Sequence, residues 1–312
     1  MPKIKYKDVR FTAERRSIID QANELVTTYK GQGYNLTLRQ LYYQFVARDA
    51  FPQSWADPST GSINNERSYK KLGDIISDAR MAGIVDWHAI EDRTRNLESN
   101  SHWDSPADIV EACANQFQTD KWADQKYRVE VWVEKDALED VVARASRRND
   151  IAYFSCRGYA SATALWDAGQ RLKAYAKADQ IPVILHLGDH DPSGIDMSRD
   201  IEERVSLFMD GLGHRLQFER IALNMDQVEQ YSPPPNPAKA TDARFKKYND
   251  LHGDECWELD ALEPSVLDAL IEEKIVSYCD DKAWSIAVAE QDEHRQSLRN
   301  VANNWDEIVE NL

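Results

Sequence analysis

Two aspartates, Asp189 and Asp191, stand two residues apart in the run Gly188-Asp189-His190-Asp191-Pro192-Ser193-Gly194, directly after the apolar stretch 181–187. In an extended segment, residues at i and i+2 project to the same side. Two carboxylates held there repel each other unless a cation lies between them. Mg²⁺ suits such a pair: it is hard, prefers oxygen, and takes one or two protein carboxylates together with water and phosphate oxygens. A third acid, Glu134, follows the apolar stretch 129–133 and precedes Lys135. Placed at the ends of two strands of one sheet, Glu134, Asp189 and Asp191 form a candidate metal-ligand set. His190 points away from that set and takes no ligand role. Read alone, the Asp-His-Asp-Pro-Ser-Gly run is equally a capped turn before a helix, because these are turn-forming residues.

A second constellation lies in 37–48. Leu38, Leu41, Tyr42, Phe45 and Val46 recur at helical spacing and place Tyr42 in a core. Tyr43 lies about 100° further round. It follows Arg39 by four residues, so the two share a helical face. A phenol ionises near pH 10 and is a weak nucleophile unaided. A neighbouring guanidinium would orient a phosphate and stabilise charge in phosphoryl transfer. The plainer alternative is an interfacial tyrosine beside a surface arginine.

The elements that must position these groups fall into two parts. Helical periodicity covers 12–30, the stretch from Thr37 to about residue 48, and about 65–82, where Tyr69, Leu72, Ile75, Ile76 and Ala79 share a face. A loop spans 51–64, and Ile84-Val85-Asp86-Trp87 reads as a short strand. Three helices and a strand suggest a helix-turn-helix module of the winged type over 1–95. Its third helix would enter the DNA major groove with Arg67, Lys70, Lys71 and Arg80 outward. An ordinary helical domain with a solvated basic face is the alternative. Residues 96–126 read as a linker holding one helix, 106–116. From residue 127 strands and helices alternate: strands at 128–133, 151–155, 181–187 and 216–223, helices at 136–147, 161–177 and 193–209. That alternation predicts a parallel sheet with helices on both faces, an α/β domain over 127–312. Tyr231 to Pro237 is an extended connector, 256–259 one more short strand, and 264–278 and 282–309 acidic helices.

Composition limits what the chain can be. Its 312 residues are 42% apolar, enough for real cores and against intrinsic disorder. No apolar run approaches a membrane span and the N-terminus leads into no signal core, so a cytoplasmic protein without membrane contact is expected. Cys113, Cys156, Cys256 and Cys279 form no CxxC pair and read as reduced thiols. The formal charge of −16 argues at first against a nucleic-acid partner. It is unevenly placed, however: residues 1–48 hold 9 basic and 4 acidic side chains, whereas 254–312 hold 4 and 16.

Taken together, the motifs resemble those of the topoisomerase VI A subunit and the meiotic double-strand-break transesterase. Arg39-Gln40-Leu41-Tyr42-Tyr43 is similar to the Arg-x-aliphatic-aromatic-Tyr motif of that family, and Val133-Glu134-Lys135 and Asp189-His190-Asp191-Pro192-Ser193-Gly194 to the Glu and Asp-x-Asp motifs of its Toprim domain. The run from Tyr231 through Arg244, and Glu258-Leu259-Asp260-Ala261-Leu262, resemble the loop and strand beyond the Toprim core. The short chain is most like the stand-alone Mini-A proteins of bacteria, phages and plasmids. Where the family often carries Gly-x-Pro-Asp-x-x-Thr-Arg, this chain has Arg157-Gly158-Tyr159-Ala160-Ser161-Ala162-Thr163.

The resemblance implies a winged-helix domain followed by a Toprim α/β domain with an acidic helical extension. It implies a DNA cleavage reaction in which Tyr43 becomes linked to a 5′ phosphate and Arg39 holds the phosphate. Mg²⁺ would be carried by Glu134, Asp189 and Asp191, with Glu134 alternatively moving a proton. It further implies a homodimer on double-stranded DNA with active sites shared between protomers, and a separate ATP-binding partner for strand passage. Two alternatives stand beside it: a Toprim nuclease that hydrolyses DNA without a covalent intermediate, and a non-catalytic DNA-binding protein.

Overall fold

Thr12 opens helix α1 (Ala13–Gly31) by accepting from the Arg15 amide. A capping box opens α2 (Leu38–Ala47): the Thr37 hydroxyl accepts from the Gln40 amide, and the Gln40 side chain accepts from the Thr37 amide. Asn65 caps α3 (Glu66–Met81). The apolar faces of these helices meet in one core that includes Ile18, Ile19, Leu41, Phe45, Leu72 and Ile75. The computed structural model describes residues 3–90, 100–239 and 241–311. The boundary expected at 95/96 lies outside them.

The strand expected at 84–87 does not form. The Ile84 and Val85 amides return to the Ala79 carbonyl, and Asp86 accepts from the His88 amide. The stretch is therefore the turned-over end of α3. A strand needs a partner, and only single-residue bridges flank it, Lys5 with Ala82 and Leu36 with Ile90. Among the described residues the N-terminal part is a three-helix module without a wing.

After α4 (Pro106–Gln116) comes the α/β part. Strands β1 (Tyr127–Val133), β2 (Ala152–Ser155), β3 (Ile181–Leu187) and β4 (Gln217–Ala222) form one parallel sheet in the order β2-β1-β3-β4. They are joined through α5 (Glu139–Arg148), α6 (Ala162–Lys177) and α7 (Pro192–Phe208). Val129, Val131 and Val133 of β1 face a core with α5, while Trp132 faces the opposite core with α6 and α7, the period-2 alternation of a strand covered on both sides. The one charge on β1 that points inward, Glu130, is held by a two-pronged Arg171 contact at 2.8 and 2.9 Å.

The rest of the chain covers edges. A short helix the periodicity did not reveal, α8 (Met225–Tyr231), precedes the connector. Beyond it β5 (Asn236–Pro237) pairs antiparallel with β6 (Glu255–Cys256), and between these strands lies a second unforeseen helix, α9 (Phe245–His252). Helix α10 (Pro264–Ser277) packs on the α5 side of the sheet. The predicted terminal helix divides into α11 (Asp281–Asn303), which runs beside α4, and α12 (Trp305–Glu310). The linker helix is thus docked rather than free. No helix of the described residues is long and apolar enough to cross a membrane.

Candidate functional site

The strand order places β1 and β3 side by side although β2 lies between them in the chain, so the connection reverses direction there. Open parallel sheets bind ligands at such a switch point, beyond the carboxyl ends of the strands. Val133 is in register with Leu187, which brings Glu134 beside Gly188-Asp189. The Glu134 amide donates to the Leu187 carbonyl at 2.9 Å, and the Asp189 amide donates to Glu134 Oε2 at 3.0 Å. Two glycines make this approach feasible. A Cβ on Gly188 would lie 2.9 Å from Glu134 Oε2, and one on Gly194 only 2.2 Å from the Asp189 carbonyl oxygen.

Asp191 is the N-cap of α7, its Oδ1 accepting from the Gly194 amide at 2.6 Å. The capped-turn reading is therefore correct for that oxygen, and it is compatible with a second use of the other. His190 does turn away. Its amide donates to the Trp257 carbonyl, and its Nδ1 lies 2.8 Å from the Tyr248 hydroxyl in a buried aromatic cluster.

The carboxylates that converge most closely are not the set read from the sequence. Asp189, Glu258 and Asp260 can bring ligand oxygens within 4.8 Å of one another, and Glu134 and Asp191 are not in that group. Its centre is taken by Lys135, whose Nζ lies 2.9 Å from Asp189 and 2.8 Å from Asp260 and also contacts Glu258. The Leu259 amide adds a 2.7 Å bond to Asp189 Oδ1. In the sequence Glu258 and Asp260 belong to the run Glu258-Leu259-Asp260-Ala261-Leu262, with no separate ligand role. Their alternating acids, Glu-x-Asp, repeat the pattern of Asp189-x-Asp191, and that was the signal to follow.

Burial raises Glu134 to about 6; Asp191 adds to the rise, while the Asp189 amide, Lys135 and Arg220 oppose it. Burial also raises Asp189, with Glu258, Glu134 and Asp260 acting in the same sense against Lys135. For Lys135 burial works against the charge, yet Asp260, Asp189 and Glu258 outweigh it and the ammonium is retained. The second oxygens of Glu134, Asp189 and Asp191 accept no hydrogen bond among the described residues. Hard oxygens on mutually repelling acids are the donor chemistry a divalent cation requires, and among the described residues the group close enough together to hold one is Asp189, Glu258 and Asp260.

Arg220 on β4 lies buried beneath this edge, with no sequence signal to mark it. Its guanidinium donates to the carbonyls of Gly188 (2.9 Å), Asp189 (2.6 Å) and Gly194 (3.2 Å) and to the Ser198 hydroxyl (2.6 Å). It fixes the backbone from which both aspartates project.

Arg39 and Tyr43 share a face, as their spacing requires, and meet the acids within the same chain. Arg39 Nε lies 3.1 Å from Asp260 Oδ2, and another guanidinium nitrogen 3.7 Å from Glu258. The Tyr43 ring is buried, 6% exposed, with the Arg39 guanidinium carbon 5.8 Å and Lys135 Nζ 5.9 Å from its centre. Burial raises the phenol above its ordinary range; Asp260 and Glu258 add to this, and Lys135 and Arg39 counter it. Tyr42, expected in the core, is there, its hydroxyl bonded to Asn64 and Asn65.

A cleft of about 720 Å³ opens between the helical module and the sheet edge, lined by Arg39, Tyr43, Asp191, Lys239 and Glu258. The four cations read as a DNA-facing surface divide. Arg67 and Lys70 are exposed at the start of α3, with Lys70 paired to Glu66 at 2.7 Å. Lys71 lies 4.8 Å over the Trp55 ring. Arg80 turns inward and donates to the Ile90 carbonyl, so it leaves the outer face. All four cysteines are unpaired. No protein-family model matches the chain, and no curated protein matches it.

Proposed function

We propose that this protein is a DNA strand-cleaving transesterase of the type IIB topoisomerase A-subunit kind, with the three-helix N-terminal module carrying Tyr43 and a Toprim-like α/β domain carrying the acids. The observation that supports this most strongly is the common cleft: Tyr43 and Arg39 border the same opening as Asp191 and Glu258. A tyrosine, an arginine and an acid cluster thus meet at a sheet switch point, although Arg39 and Asp260 are 221 residues apart in the chain.

Arg39 and Lys135 would receive the scissile phosphate, since both are cations beside the Tyr43 ring. The Tyr43 oxygen gives up its proton and bonds to phosphorus. The bond from phosphorus to the 3′ oxygen breaks, and that oxygen takes up a proton. Glu134, raised to about 6, is suited to carry this proton at neutral pH. Reversal restores the DNA backbone without ATP, because the phosphotyrosyl bond conserves the energy. Mg²⁺ bound by Asp189 and Asp191 would supply charge neutralisation at the phosphate oxygens, with Glu134 either a third ligand or, left unligated, the proton carrier. By the same family likeness the working form is a homodimer on duplex DNA, with a separate ATP-binding protein for strand passage; the likeness would share each active site between protomers, whereas Arg39 and Tyr43 here meet Asp260 and Lys135 of their own chain.

Labelled DNA incubated with the protein and Mg²⁺, then denatured, should remain attached to wild type and to neither Tyr43→Phe nor Asp189→Ala. Equal attachment to Tyr43→Phe removes Tyr43 as nucleophile. The buried, proton-retaining phenol favours a second reading, a metal-dependent nuclease in which Tyr43 is structural. That reading predicts nicking that survives Tyr43→Phe and is lost in Asp189→Ala.

A further inference from the structure

The segment 239–247, Lys-Ala-Thr-Asp-Ala-Arg-Phe-Lys-Lys, carries four basic residues and one acid, whereas the chain from 101 onward holds 23 basic and 41 acidic. This concentration of positive charge lies at the cleft. Lys239 and Asp242 line it together with Glu66 and Tyr69 of α3. Lys246 and Lys247 are exposed on the first turn of α9, a few residues further along.

The segment is firmly held. Ser193 at the start of α7 donates to Asp242 at 3.0 Å, and Arg244 pairs with Asp196 at 2.8 Å. Tyr248, buried on the inner face of α9, places its hydroxyl 2.8 Å from His190 Nδ1 and 3.0 Å from the His190 carbonyl oxygen. His190, which has no place among the ligands, thus anchors α9 to the loop that bears Asp189 and Asp191. Arg244 also pairs with Asp242, at 3.3 Å, and Lys239 stands in the field of Glu258. Lys239, Lys246 and Lys247 have no ion pair among the described residues.

Three cations without an ion pair among the described residues, in a strongly acidic chain and beside the cleft that Tyr43 borders, call for an extended anion. We infer that Lys239, Lys246 and Lys247 form a phosphate-contacting rail for duplex DNA on the sheet side of the cleft. The exposed start of α3, with Arg67 and Lys70, would contact the duplex from the other wall. This deepens the proposed function and rests on its choice of DNA as substrate. The rail acts on the backbone, so it contributes affinity and orientation, not sequence preference.

Each phosphate contact to duplex DNA contributes about 0.9 to the slope of log affinity against log salt concentration. Non-covalent binding of a labelled duplex of random sequence, measured with Ca²⁺ at several salt concentrations, reads that slope. Replacing Lys239, Lys246 and Lys247 by Ala should reduce it by about two to three and weaken binding at every salt concentration. Replacing the exposed Lys177, Lys282 and Arg299, which removes the same charge far from the cleft, should leave it unchanged. Equal slopes for the two triple variants, with unaltered folding, overturn the rail. So does a change confined to the self-association of the protein, which would assign the strip to the acidic helices of a second copy. Covalent trapping through Tyr43 is scored separately. A slope change without trapping keeps the rail and rejects the transesterase; trapping with equal slopes does the reverse.

Discussion

Burial and the carboxylates of Asp260 and Glu258 hold the Tyr43 phenol in its neutral form, and Lys135 and Arg39 pull the other way. Under the proposed function a phosphate entering the cleft would compete with Asp260 for Arg39, so that substrate arrival and activation of Tyr43 would concern the same few atoms. Glu134 allows a sharper statement. Its carboxyl, raised from 4.5 to about 6, favours the protonated form in the folded chain. The associated stability is complete below about pH 4.5 and is lost as pH rises through 6. Above that the buried anion costs about 2 kcal/mol at most, from the size of the shift. In EDTA at pH 7.5, Glu134→Gln should therefore unfold at higher urea concentration than wild type, by roughly 1–2 kcal/mol. Near pH 4.5 the two should coincide. A less stable variant at pH 7.5 contradicts this account of the site. Arg39 and Tyr43 were legible as a pair because a four-residue spacing is local geometry. The partners Glu258 and Asp260 were not, since nothing in a linear reading brings residue 260 to residue 39.

The β1–β3 pair and the start of α7 are the elements on which the site depends. Alternation in β1 and β3 and the helical periods of α1 to α3 were readable because each reflects burial on a known face. The missing strand at 84–87 shows the limit of such reading. Four apolar-rich residues have strand character but need a neighbour to bond, and the helix end used their amides first. Helix α9 escaped notice because its buried contact is chiefly one residue, Tyr248. Gly194 tests the tight loop directly. A methyl group there would meet the Asp189 carbonyl at 2.2 Å, a clash only backbone movement can relieve. Gly194→Ala should lose roughly 2–4 kcal/mol of stability in urea unfolding, and cleavage activity with it. Gly31, the last residue of α1, has no atom within 4 Å of the added group. Gly31→Ala should be neutral or gain up to about 1 kcal/mol. Equal effects at the two sites would show that the loop is looser than described.

Across the whole molecule, helices α10 to α12 hold ten acids and four bases, a net of −6 in a chain of −16, while at the cleft the cations Arg39 and Lys135 are set directly against acids. The molecule's response to acid is set elsewhere. His186 is lowered to about 3 by burial and Arg220, and His190 to about 4 by burial, His252 and Arg220. Both stay neutral in the folded chain while the unfolded chain protonates them near 6.5. Their contribution is complete above about 6.5 and declines as pH falls toward 4 and 3. Each costs about 1 kcal/mol per pH unit in that window, against the opposite trend of Glu134 and Asp189. In urea unfolding with EDTA, wild type should lose roughly 1–2 kcal/mol relative to His190→Asn between pH 7 and pH 5; an unchanged difference would mean that His190 is charged when folded. The segment Glu258 to Leu262 has one further effect. Leu259 and Leu262 sit in the sheet core, whereas Ala261 fills the core of the three-helix module. During synthesis the helical module emerges first, yet a piece of its interior is made some 170 residues after Ile90, about four-fifths of the way along the chain. On the ribosome that module must wait with a gap in its wall, and its native packing is finished only when nearly all of the sheet domain has been translated.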